Sequence, residues 1–211
     1  MTVKLLTTIL ALVAMNACFL THKNPPSPPV SIEENETSPS RPIDRNKANE
    51  NIDINHFDIS LMEDLVHEEI NNLRAKKRRV DLQKDNCLRK AAILQNEYVM
   101  KQGKLTHEQR NKDMKSVMER TRINNCTHRM VGENLQFMGF TLVKQNGKLI
   151  DIETPTYNEA AKEIAQNWKG SPGHYDNLMH ESFFRVGTAA AYDSREKGIY
   201  VTQVFGAVPP E

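Results

Sequence analysis

Two β-rich runs near the end of the chain, Phe183 to Tyr192 and Ile199 to Phe205, constrain its fold more than any other feature. Both are dense in β-branched and aromatic residues. Only Asp193-Ser194-Arg195-Glu196-Lys197-Gly198 separates them, so they are expected to pair as antiparallel strands. Upstream the pattern is mainly helical. Helices followed by a terminal pair of strands argue for an α+β layered domain rather than a doubly wound sheet. The chain has no internal repeat and no glycine loop for a dinucleotide or phosphate.

Met62, Val66, Ile70 and Leu73 recur at helical spacing behind a capping box of Ser60 and Glu63, predicting a first helix that ends near Arg79. A second helix is expected from about Asn86, with Leu88, Ala91, Ala92, Gln95 and Tyr98 on one face and Gly103 closing it. Its small alanines predict close packing against a neighbour. Leu105-Thr106-His107-Glu108-Gln109 reads as the start of a third helix, with His107 in its first turn and Met114, Val117, Met118 and Ile123 facing inward. Asn146-Gly147, between short alternating runs from Leu142 to Ile152, predicts a two-residue hairpin in an added ribbon. Thr156 and Glu159 form another capping box, ahead of Tyr157, Ala161, Ile164, Ala165 and Trp168 at helical spacing. Gly170, Pro172 and Gly173 are expected to stop that helix and leave His174 at the mouth of the next turn. The Ser171-Pro172-Gly173 corner is then either plain punctuation or a device that fixes His174.

With 211 residues, 38% of them hydrophobic, the chain can build one core. Lys plus Arg is 28 against 27 for Asp plus Glu, and a formal charge of +1 supplies no field to attract nucleic acid, which is not expected as a partner. The basic run Arg74 to Arg79 sits at the end of a predicted helix, where cations complement the macrodipole, and reads as a solvated helix end. Residues 1–18 read as a signal peptide: Lys4 precedes an apolar run, Leu5 to Ala14, too short to span a bilayer. Met15-Asn16-Ala17-Cys18 resembles the lipobox of bacterial lipoproteins, so acylation of Cys18 would anchor the chain to a membrane. Ordinary cleavage near Ala14 or Ala17 would secrete it instead. Residues 19–55 are rich in Pro, Asn, Ser and Glu and read as an extended tether, with the folded domain at 56–211. The expected location is the cell envelope or the extracellular space. With Cys18 acylated, Cys87 and Cys126 remain, as a disulfide or as two buried thiols. Neither has the spacing of a cysteine zinc site, and neither carries an oxyanion-hole motif.

Five stretches taken in order, Val66 to Ala75, Cys87 to His107, Gly132 to Leu135, Trp168 to Asn177 and Phe183 to Phe205, form a joint signature. It comprises Thr-His after the second helix, Gly-Glu-Asn-Leu, Trp-x-x-Ser-Pro-Gly-His, Phe-x-x-Val-Gly and a terminal Val-Phe-Gly. It resembles the CAP superfamily, the cysteine-rich secretory, antigen 5 and pathogenesis-related (SCP-like) proteins, in its compact bacterial form. The resemblance implies a three-layer α-β-α sandwich with a central antiparallel sheet and a cleft where two histidines and two acids converge. His107 matches the first histidine, Glu133 the first acid and His174 the second histidine, with Trp168, Ser171 and Asn134 supporting the cleft. The second acid departs from the pattern: Ser171 stands where many eukaryotic relatives have glutamate. Asp176 and Glu181 are the nearby acids that could substitute, and His128 and His180 read as surface residues.

Two imidazoles beside one carboxylate suit weak, reversible zinc binding, the carboxylate fixing a ring tautomer or holding a bound water. The same three residues could equally form a hydrogen-bonded network without metal. Three readings follow. The first is a surface-tethered binding module for a lipid, peptide or protein. The second is a metal-assisted hydrolase using His107, His174 and Glu133 as base. The third is a structural or adhesive envelope protein.

Overall fold

The computed structural model describes residues 42–207. The expected signal segment 1–18 with Cys18, and residues 19–41 of the expected tether, lie outside the described residues.

The folded part begins before His56, which corrects the expected boundary of the tether. Asp44 caps a single helical turn, α1 (Arg45–Ala48), by accepting from the backbone N–H groups of Asn46 and Lys47. Ala48 and Ile52 are buried, Asn51 bridges Thr156, and the Ile52 N–H donates to the Pro155 carbonyl at 2.9 Å. The polar composition of this stretch conceals two apolar anchors, enough to dock one short segment onto a finished surface.

Helix α2 (Ile59–Lys76) buries the predicted stripe of Met62, Val66, Ile70 and Leu73. Its cap is Asp58, whose side chain accepts from the Leu61 N–H, rather than the expected Ser60. Glu63 is turned inward instead and binds Arg89 through both carboxylate oxygens, at 2.7 and 3.1 Å. The basic run at the end of α2 also divides. Lys76, Lys77 and Arg78 are exposed, whereas Arg74 is buried and donates to the carbonyls of Val80, Leu178 and Phe183, and Arg79 pairs with Glu181. Helix α3 (Asn86–Gln102) is capped by Asp85 and ends where Gly103 takes the left-handed conformation, φ 62°.

The third helix starts later than the periodicity suggests. A short 3-10 turn, Lys112–Met114, leads into α4 (Val117–Ile123), opened by a capping box of Ser116 and Glu119. His107 is therefore in the loop before α4 and not in a helical turn. There the Thr106 hydroxyl accepts from the Glu108 N–H at 3.2 Å, a local turn that competes with helix initiation.

The main sheet has the order β1-β5-β6-β2, built from β1 (Gln83–Lys84), β2 (Val131–Gly139), β5 (Arg185–Asp193) and β6 (Gly198–Gly206). The terminal strands β5 and β6 pair antiparallel, as does β6 with β2. The short edge strand β1 runs parallel to β5, so the sheet is mixed rather than wholly antiparallel. A separate ribbon joins β3 (Thr141–Gln145) to β4 (Lys148–Glu153) through Asn146 and Gly147, both at positive φ, as a two-residue turn of this hand requires.

Helix α3 lies on one face of the sheet, where Leu88, Ala91 and Ala92 meet Ala189 and Val204. On the other face, α2 and α5 (Tyr157–Gly170) pack over Val186, Ala190, Val201 and Phe205, with Leu178 of α6 (Pro172–Met179) joining the same core. The result is an α+β fold with helices on both faces of the sheet. Pro172 occupies the first position of α6, so the Ser-Pro-Gly corner starts a helix as well as ending one.

A candidate ligand cleft at the edge of the sheet

Strand β2 is an edge strand, and successive side chains on it point to opposite faces. Glu133, opposite Val204, faces α3 and α4; Asn134, opposite Gln203, faces α5 and α6. The Gly-Glu-Asn-Leu stretch thus serves two groups of helices at once.

On the first face, Glu133 is held at both oxygens. Oε1 lies 2.9 Å from Nδ1 of His107, and Oε2 accepts from Nη2 of Arg120 at 2.6 Å. The Glu133 side chain is 2% exposed and that of Arg120 is fully buried, while the His107 side chain remains 57% exposed. Arg120 also donates to the carbonyls of Met114, Lys115 and His107, tying the whole loop ahead of α4 to the strand. Two buried amides complete the support. Gln109 donates to Oε1 of Gln95 at 2.9 Å and to the Leu94 carbonyl at 3.1 Å, and Gln95 donates to the Thr106 carbonyl next to His107.

On the second face, Asn134 donates to the His174 carbonyl at 3.2 Å, and Asn177 donates to Oδ1 of Asn134 and to the Glu133 carbonyl. The Trp168 indole N–H donates to the Leu135 carbonyl at 3.3 Å, so α5 and α6 both grip the edge strand. His174 sits in the first turn of α6 with its ring edge-on to Trp168. Burial pushes its pKa below the usual imidazole value, and His107 pushes it down further.

The sequence-derived candidates separate accordingly. His107 and Glu133 meet directly, and the His174 carbonyl accepts from Asn134, the next residue of the same strand. Ser171 caps the α5–α6 junction through its backbone and makes no side-chain cap bond. Neither acid suggested as a substitute is committed to the cleft: Asp176 is exposed, and Glu181 is spent on Arg79. His128 and His180 are both half-buried. The His128 side chain is 7% exposed, bridging Asp85 and the Ala207 carbonyl, and the His180 ring packs on Phe183. Cys87 and Cys126 are joined as a disulfide with a Cα–Cα distance of 5.7 Å, fastening the start of α3 to the segment between α4 and β2. Arg120 is the residue that periodicity misses. A buried acid at Glu133 calls for a cation, but nothing local distinguishes Arg120 from Arg122 two residues on.

The sequence profile of the CAP family, described as the cysteine-rich secretory protein family, matches residues 67–205. No curated protein matches the chain. Among solved structures, an extracellular protein of Bacillus anthracis containing an SCP domain aligns with a TM-score of 0.54 at 17% identity over 71% of this chain. The alignment covers 41% of that protein, so this chain spans less than half of its length. An outer surface protein of Borrelia burgdorferi aligns with a TM-score of 0.54 at 17% identity over 76% of this chain and 99% of that one. At such identities the likeness to these two structures is one of fold. With the profile spanning more than half of a chain that has helices on both faces of its sheet, the protein belongs to the CAP, or cysteine-rich secretory protein, family.

Proposed function

We propose that this chain is a secreted or surface-tethered binding module whose cleft, at His107 and His174, holds a lipid, peptide or protein ligand without turning it over. The observation that carries this reading is the double commitment of Glu133, with one oxygen on His107 and the other on a buried Arg120. A general base has to be within reach of the substrate's proton, and here the carboxylate is 2% exposed with each oxygen turned to a partner of its own. That removes the hydrolase reading in which Glu133 is the base, and neither Asp176 nor Glu181 is placed to replace it in that role.

Zinc fits the cleft only as a weak, reversible occupant. Among the described residues, no group of three or more His, Cys, Asp and Glu is placed to hold a metal ion. His107 and His174 would be its two protein ligands, with Glu133 orienting the His107 ring, well short of a closed four-ligand site. When bound, zinc would supply polarisation of a water or carbonyl oxygen in the cleft. Tethering through an acylated Cys18 fits the company of an outer surface protein and an extracellular protein among the structural relatives. No helix among the described residues is long and apolar enough to cross a membrane.

Quenched peptide and ester libraries, assayed with and without zinc, test this reading. The expected result is no zinc-stimulated turnover, alongside saturable binding in a lipid or peptide screen. Turnover that rises with zinc and disappears in Glu133→Gln would establish the hydrolase instead. For the anchor, Cys18→Ala is expected to release the chain from membranes; unchanged membrane association would rule out acylation as the tether.

A further inference from the structure

We infer that Arg120 is a positioning residue that, by holding one oxygen of Glu133, keeps the other turned to His107 as an acceptor, so that the neutral ring carries its proton on Nδ1 and presents the outer nitrogen as an acceptor. The chain of contacts is short. Arg120 donates to Oε2 of Glu133 at 2.6 Å, and Oε1 of the same carboxylate faces Nδ1 of His107 at 2.9 Å. A guanidinium has only donors and a carboxylate only acceptors, so in the neutral ring Nδ1 donates and Nε2 is left with its lone pair. Arg120 also donates to the His107 carbonyl, at 3.3 and 3.4 Å, so one fully buried side chain fixes both the backbone and the ring of this residue.

The consequence is chemical selectivity. At His107 the cleft offers a lone pair, and therefore takes a metal cation or an N–H or O–H donor from a ligand, and disfavours an acceptor such as a carboxylate. This deepens the reading of the cleft as a binding site and rests on it for its consequence. The proton position itself is measurable with no ligand present, so a cleft that binds nothing would leave the result standing.

Long-range proton–nitrogen correlation NMR on the full chain, at a pH about 2 units above the usual imidazole value of ~6.5, reads the tautomer directly. Wild-type His107 is expected to show protonated Nδ1 and bare Nε2. Glu133→Gln then provides a sharp contrast at nearly constant shape. Arg120 can only donate, so it takes the amide oxygen; the amide NH2 turns to His107, Nδ1 has to accept, and the proton moves to Nε2. A switch from protonated Nδ1 to protonated Nε2, with a dispersed amide spectrum in both proteins, supports the inference. A variant that keeps protonated Nδ1 would mean that the amide has flipped and Arg120 does not decide the matter. Protonated Nε2 in the wild type would overturn the inference without any variant, so the test survives a Glu133→Gln chain that fails to fold.

Discussion

Arg120 and Glu133 show how far single residues could be read from sequence. The acid was legible, because a carboxylate between Gly132 and Asn134 in an apolar stretch has to be paired or functional; its cation was not, because helix periodicity does not rank one arginine above another. His128 was equally illegible. Both its ring nitrogens face acceptors, Asp85 Oδ2 at 2.9 Å and the Ala207 carbonyl at 2.7 Å, a geometry satisfied best by the doubly protonated ring. The bond to Asp85 raises the pKa of His128 against the effect of burial, with the Ala207 carbonyl adding and Arg185 opposing. Burial pushes Asp85 up, but its bonds with His128 and the Leu88 N–H bring it to a net value below the usual one. The two signs define the window. The His128 contribution is complete below the unfolded imidazole value of ~6.5 and is lost as pH rises through the raised folded value, while the Asp85 contribution is lost only as pH falls through its depressed value. Urea unfolding of the wild type from pH about 6 to about 9 is expected to show stability declining through this titration, and His128→Gln to flatten that slope. An unchanged slope in the variant would remove His128 as its source.

At the scale of elements, the small alanines of α3 were readable as close packing, and the structure gives the reason at Gly187 of β5. A Cβ built there would lie 1.9 Å from the Arg89 backbone nitrogen, so α3 rests directly on the strand. Gly187→Ala should therefore lift the helix and destabilise the fold by about 3 kcal/mol, seen as a lower urea midpoint; a neutral substitution would show that α3 has room to shift. The Asn146-Gly147 hairpin and the β5–β6 pair were legible because their signals are local. The start of α4 was not, since the Leu105 to Gln109 run imitates a helix while its own side-chain turn and the buried Gln95–Gln109 bond hold it as a loop. The disulfide at Cys87 and Cys126 closes a 39-residue separation across these elements. Removing it in a Cys87→Ala, Cys126→Ala chain is expected to cost about 4 kcal/mol in the chain-entropy account. A loss below about 1 kcal/mol would show that α3 and the β2 approach are held chiefly by His128 and the sheet.

For the whole molecule, order extends further towards the N-terminus than composition suggests. Trimming to residue 56 removes buried Ala48 and Ile52 and the bridge from Asn51 to Thr156, and should cost about 3 kcal/mol relative to a chain starting at residue 42; equal stability would return this segment to the tether. The proposed cleft draws on residues far apart in the chain: His107 from a loop, Glu133 from an edge strand and His174 from a helix start. No local pattern brings such residues together, and it was the ordered signature of five stretches that suggested a common site for them. The central claim is that His107 and His174 share that site, with Glu133 as a support and not a reactant. Calorimetric titration of zinc into the metal-stripped full chain, beside His107→Ala and His174→Ala, tests it most directly. The account predicts weak, saturable binding abolished by either substitution; binding that survives both, or tight binding of the closed four-ligand kind, would contradict it.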